Sequence, residues 1–182
     1  MTRCWMRSTL CVLVAASAVF AAEPRQIENR KLVWSDFRGH PEVGKPYDAY
    51  TYWSVHYSYD APTREGAGLR VIVRVWNQLE DRSWVKAHVL RDPKNGDLLN
   101  HEQGHYTLGV LCALEFKKAA SGRLFGPQYH GEIRSLFDQV LKKYVAMEED
   151  YDIETRHMRD RAAQRAWDRR LAQMVSECWA DR

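Results

Sequence analysis

Between residues 50 and 59 the chain alternates. Thr51, Trp53, Val55, Tyr57 and Tyr59 share one face of an extended segment, and Ser54, His56 and Ser58 take the other. Leu69, Val71, Val73 and Val75 alternate in the same way with Arg70 and Arg74. A loop with Pro62, Gly66 and Gly68 separates the two runs, which predicts an antiparallel pair with the arginines on its exposed face. Residues 31–39 read as a short strand ending in a turn, preceded by an unstructured lead-in over 22–30. The period then changes. Residues 92–97 form a turn and cap region, and 98–120 contain no proline and stop at Ser121-Gly122, which predicts a helix. Ile133, Leu136, Phe137, Val140, Leu141, Tyr144 and Val145 keep helical spacing, as do Ala163, Trp167, Leu171, Met174 and Cys178. The segment between them, 148–157, is more polar and less periodic and reads as a break. Strands first and helices later predict an α+β fold. A small antiparallel sheet lies beside the helix over 98–120, and two further C-terminal helices pack beneath.

The first residues stand outside this pattern. Arg3 and Arg7 precede an apolar run over 10–20, with small residues around Ala21. That is the form of a secretory signal cleaved at or near Ala21. The run is too short to span a bilayer as a stable helix. The reading is therefore a signal peptide over 1–21 and a single domain over 22–182. The protein is exported, to the periplasm or beyond, without stable membrane insertion after cleavage. At 182 residues, 45% hydrophobic and 28% charged, the chain is ordinary globular material. A domain of this size buries roughly two-thirds of its unfolded surface. It needs no metal merely to fold, so a bound metal would serve chemistry.

The net charge of +3 loses Arg3 and Arg7 with the signal and suggests no polyanionic partner. Arg156, Arg159, Arg161, Arg165, Arg169 and Arg170 cluster late, but Glu154, Asp160 and Asp168 interleave with them. That mixture reads as a solvated helix face and not as a nucleic-acid surface. Nothing in the pattern fixes an oligomeric state. Cys4 and Cys11 leave with the signal. Cys112 and Cys178 remain on two apolar stripes, an even count in an exported chain, and are expected to form a disulfide.

The candidate chemistry is in the long helix. His101-Glu102-Gln103-Gly104-His105 matches H-E-x-x-H. Residues four apart lie on one helix face, one turn along, so both imidazoles can reach one zinc ion. Glu102 sits beside that face, where a carboxylate can take a proton from a water whose pKa the zinc lowers. Gly104 could admit a substrate chain or neighbouring strand. A catalytic zinc takes a third protein ligand and keeps one position for water. Glu115 is excluded, since ten residues of straight helix place it about 15 Å beyond His105. His130 has no supporting neighbours. Residues 151–157 carry Tyr151, Asp152, Glu154 and His157 where the periodicity falters, and they are the interesting segment.

Three blocks of this chain resemble those of a family of exported bacterial proteins regarded as zinc-dependent proteases and classed as a domain of unknown function. They are Trp34-Ser35-Asp36-Phe37-Arg38-Gly39, then Leu98-Leu99-Asn100-His101-Glu102-Gln103-Gly104-His105-Tyr106, then Tyr151-Asp152-Ile153-Glu154-Thr155-Arg156-His157 with Trp167 ten residues on. Two positions depart from the family pattern: Tyr106 stands where phenylalanine is expected, and Met158 where glycine is. A glycine beside a metal-binding histidine allows a special backbone angle, so the second departure bears on local geometry. The resemblance implies a zincin-like metallopeptidase, with His157 as third ligand and Glu154 or Asp152 as alternatives. Asp152 could instead orient a ligand histidine, and Tyr151 could donate to the oxyanion. Trp34, Asp36 and Phe37 are expected to brace the sheet against the helices. The expected activity is a zinc-dependent hydrolase, most simply an endopeptidase acting on a peptide or protein. The rivals are a zinc-containing binding module without turnover and an amidase acting on cell-wall peptides.

Overall fold

The computed structural model describes residues 26–180, so the expected signal segment lies outside the described residues. Among the described residues the element order is a short 3-10 turn at Trp34–Asp36, six strands, a second 3-10 turn at Val89–Arg91, then three long helices. The strands are β1 (Ala49–Tyr50), β2 (Trp53–Tyr59), β3 (Thr63–Glu65), β4 (Gly68–Arg70), β5 (Val73–Leu79) and β6 (Trp84–Val85). The helices are α1 (Gly96–Ser121), α2 (Tyr129–Thr155) and α3 (Arg161–Ala180). The fold is α+β, as the order of periodicities predicts.

The expected antiparallel pair is β2 with β5, in register from Trp53↔Leu79 to Tyr59↔Val73. β3 and β4 form a small hairpin within the loop between them, and β1 pairs with β6. Val55, Val73 and Val75 turn inward from this ladder and are buried. Their partner is α1, which packs against β2 and β5 on one side and against α2 and α3 on the other. The sequence explains this central place. From Leu108 to Leu114 every residue of α1 is apolar or glycine and every one is buried, and a helix apolar all round has no face to give to water.

Three expectations are corrected. Residues 31–39 are not a strand: Asp36 accepts from the Val33 N–H at 2.9 Å and from Arg30 at 2.8 Å, which winds the Trp-x-Asp-Phe block into the 3-10 turn. Its rings still brace the structure, Trp34 lying 5.1 Å from Phe37, which is buried. The lead-in is irregular but not loose over its described part. Leu32 N–H donates to Gln103 Oε1 at 2.8 Å, Gln103 Nε2 reaches the Arg30 carbonyl at 3.2 Å, and Asn77 pairs twice with the Glu28 backbone. Gln103 thus ties the residues before the 3-10 turn to α1. Finally, 148–157 is not a break. α2 runs unbroken to Thr155, with Tyr144, Glu148, Tyr151 and Thr155 keeping helical spacing. Periodicity faltered there because polar residues take inward positions that a purely structural helix would fill with apolar ones.

No disulfide joins Cys112 and Cys178. Burial pushes the Cys112 thiol up to about 12, which keeps it protonated and inert.

Candidate metal centre

α1 presents His101 and His105 on one buried face, their rings 4.9 Å apart and nearly perpendicular. Each ring is held from behind. His101 Nδ1 lies 3.1 Å from Gln164 Oε1 on α3, and His105 Nδ1 lies 2.9 Å from Glu148 Oε1 on α2. Glu148 is fixed in turn by the Trp53 indole N–H at 2.8 Å. With both Nδ1 atoms engaged, the Nε2 atoms point to a common place, 3.3 Å apart. A ring N–H given to an acceptor on its far side is the arrangement that orients metal-binding histidines.

Asp152, near the end of α2, completes the convergence. Its Oδ1 lies 3.1 Å from His101 Nε2, 3.2 Å from His105 Nε2 and 3.2 Å from His157 Nδ1. His101, Asp152 and His157 form a cluster able to hold a divalent cation, with ligand atoms within 4.8 Å of one another. Any two protein donors bonded to one tetrahedral zinc at 2.0–2.1 Å would stand about 3.3–3.4 Å apart. The measured separations approach that value, and imidazole and carboxylate are the donors that zinc accepts. Burial pushes His105 down, but hydrogen bonds to Asp152 and Glu148 outweigh it and raise this imidazole to about 10. Burial alone would raise Asp152, yet His101 and His105 hold its carboxyl well below the usual carboxylate range. A cation bound there would compete with protons for the imidazoles, so its uptake would weaken as the pH falls.

His157 reaches this cluster through unusual backbone. Arg156, His157 and Met158 all have positive φ, of 49°, 49° and 66°. The chain leaves α2 in a left-handed turn, with the His157 N–H bonded to the Asp152 carbonyl at 3.0 Å. Met158 occupies the position where the family resemblance leads one to expect glycine, and its φ is one that glycine adopts without cost. Each such residue costs about 1–3 kcal/mol. Met158→Gly should therefore raise the thermal midpoint by about 2–4 °C, the shift for roughly 1 kcal/mol in a chain of this size. A thermal melt of the two proteins checks this; an unchanged or lower midpoint would mean that the Met158 side chain contributes more than its backbone costs.

Glu102 is buried beside the two histidines, and the Thr51 hydroxyl donates to its Oε2 at 2.6 Å. His101, Glu102, His105, Asp152 and His157 line one cleft of about 650 Å³, walled by β1 with the residues before it and by α2. Tyr151 stands elsewhere than an oxyanion donor would. It is fully buried, stacks on the His101 ring at 4.8 Å, donates to the His101 carbonyl at 3.0 Å and accepts from Gln164 at 2.7 Å. Gly104 makes room for it: a Cβ there would overlap the Tyr151 hydroxyl, so the close approach is by helix α2 and not by a substrate or strand. Glu154 binds the Trp167 indole at 2.7 Å and is not among the converging donors. His130 bonds Tyr59, and Glu115 bonds Lys143 and Tyr144. Glu148 and Gln164 were not singled out in the sequence. The signal for Glu148 was its position four residues before Asp152; Gln164 left none.

An H-E-x-x-H pair on one helix, a carboxylate beside it and further ligands from the end of the next helix form a catalytic metal site of the type found in zinc metallopeptidases, in a zincin-like setting. The chain belongs to the family described as bacterial protein of unknown function (DUF922), whose model matches residues 29–158. Comparison with curated proteins and with solved structures gives no match.

Proposed function

We propose that the protein is an exported zinc-dependent peptide hydrolase, most simply an endopeptidase. The observation that carries the reading is the convergence of imidazole and carboxylate donors in one open cleft with a buried carboxylate, Glu102, that is not one of them. His101, His105 and His157 would hold the ion, with Asp152 drawing the three imidazoles together. Zinc bound there would supply Lewis acidity to a carbonyl and lower the pKa of a water. Glu102 takes a proton from the attacking water as its oxygen bonds to the carbonyl carbon. It then passes that proton to the leaving nitrogen as the C–N bond breaks. Thr51 holds the carboxylate in place through both transfers. The cleft size suits a short length of peptide.

Export rests on Arg3, Arg7 and the apolar run over 10–20. Among the described residues no helix is long and apolar enough to cross a membrane. The test is metal analysis of the mature protein together with cleavage of a peptide library, with and without chelator. Zinc at about one ion per chain and chelator-sensitive cleavage are expected. Stable zinc without cleavage of any peptide would instead support a binding module.

A further inference from the structure

Amide hydrolysis places negative charge on the carbonyl oxygen, and a donor already aimed at that oxygen lowers the barrier most. Few side chains lining the cleft can donate. Thr51 gives its hydroxyl to Glu102, and Tyr151, buried beneath the histidines and bonded to the His101 carbonyl, is not part of the lining. Tyr47, Tyr50 and Arg159 remain. Arg159 is exposed and follows the left-handed turn, and Tyr47 lies in a loop before β1. Neither is held by a ladder.

Tyr50 is held. It pairs in register with Trp84 across β1 and β6. Its ring lies 4.5 Å from Tyr52 and 5.9 Å from Tyr47, and is stacked at 6.3 Å on Trp84. The next residue, Thr51, just past the end of β1, grips Glu102, so neighbouring residues of the chain hold this phenol and the base. The Tyr50 hydroxyl has no hydrogen-bond partner among the described residues, although the residue is half-buried. Burial, and then the nearby Glu148 and Asp152 carboxylates, raise this phenol and keep it a donor.

We propose that Tyr50 is a further catalytic residue, its phenolic O–H donating a hydrogen bond to the oxyanion of the tetrahedral intermediate. This rests on the hydrolase reading above. The test compares Tyr50→Phe, Tyr47→Phe and Tyr52→Phe in the zinc-loaded full chain. It reads zinc content, kcat and KM on a cleaved peptide, and affinity for a peptide phosphonate that mimics the tetrahedral anion. Tyr50→Phe keeps the ring and its stacking. It should keep zinc and KM, lower kcat by about 10²–10³-fold and weaken the phosphonate by at least about tenfold. Tyr52→Phe loses only the bond to Glu42, outside the cleft, and should match the wild type. Unchanged phosphonate affinity in Tyr50→Phe, or a loss in Tyr47→Phe instead, overturns the proposal, as does a wild type that does not bind the phosphonate. If the wild type cleaves no peptide yet binds the phosphonate through Tyr50, the hydrolase reading falls and the anion donor stands.

Discussion

Glu102→Gln should leave the metal content at about one ion per chain and lower turnover at least about a hundredfold, the low end for losing a general base. The substitution keeps the shape of a side chain that is 3% exposed and packed against Thr51. The Thr51 hydroxyl can still donate to the amide oxygen, so neither the helix nor the histidine pair has reason to move. What disappears is basicity. The metal would be held by other residues, since the converging donors are His101, His105, Asp152 and His157. Metal analysis and steady-state kinetics on one preparation separate the two effects. Full activity in this variant would rule out Glu102 as the base that activates water. Loss of the metal would instead mean that Glu102 helps to hold it.

The α1 half of the site was legible because helical geometry alone brings residues four apart to one face. His101, Glu102 and His105 therefore stand as their spacing requires. The same holds for the β2–β5 pair, whose alternation is visible because one face is buried and the other is not. The α2 half was legible only as a segment. Asp152 and His157 are five residues apart, a spacing that a continuing helix would not place together. They meet because the helix stops at Thr155 and three left-handed residues follow, one of them a methionine where glycine would advertise the turn. The roles of Tyr151 and Gly104 were hidden for a related reason. Each explains the other, through contact between residues 47 apart in sequence on two helices, and neither has a pattern of its own. Gln164 belongs with them: its amide satisfies His101, Tyr151 and Asp168 at once, a role that only the packed α3 defines.

His157→Ala should lower metal affinity by at least about a hundredfold, and Asp152→Asn by about 10–100-fold, the range for losing a group that orients the ligands. The geometry alone places both residues among the converging donors, so the ranking needs a further argument. Asp152 has a role beyond binding an ion: its Oδ1 stands 3.1–3.2 Å from a nitrogen of each of three imidazoles, and His101 and His105 stabilise its carboxylate. His157 has little such role. Its side chain is 45% exposed and, among the described residues, pairs with Asp152 and lies 5.1 Å between ring centres from Tyr47. Yet three successive residues adopt left-handed backbone to bring it there, at about 1–3 kcal/mol each. Strain of that size beside converging donors is what a ligand position requires. Asn keeps the shape of Asp152 and one acceptor oxygen, so the imidazoles stay close and the loss is partial. Competition against a chromophoric zinc chelator reads both affinities on the same scale. If His157→Ala binds zinc as the wild type does and Asp152→Asn does not, the third ligand is Asp152, and the left-handed turn serves the cleft wall instead of the metal.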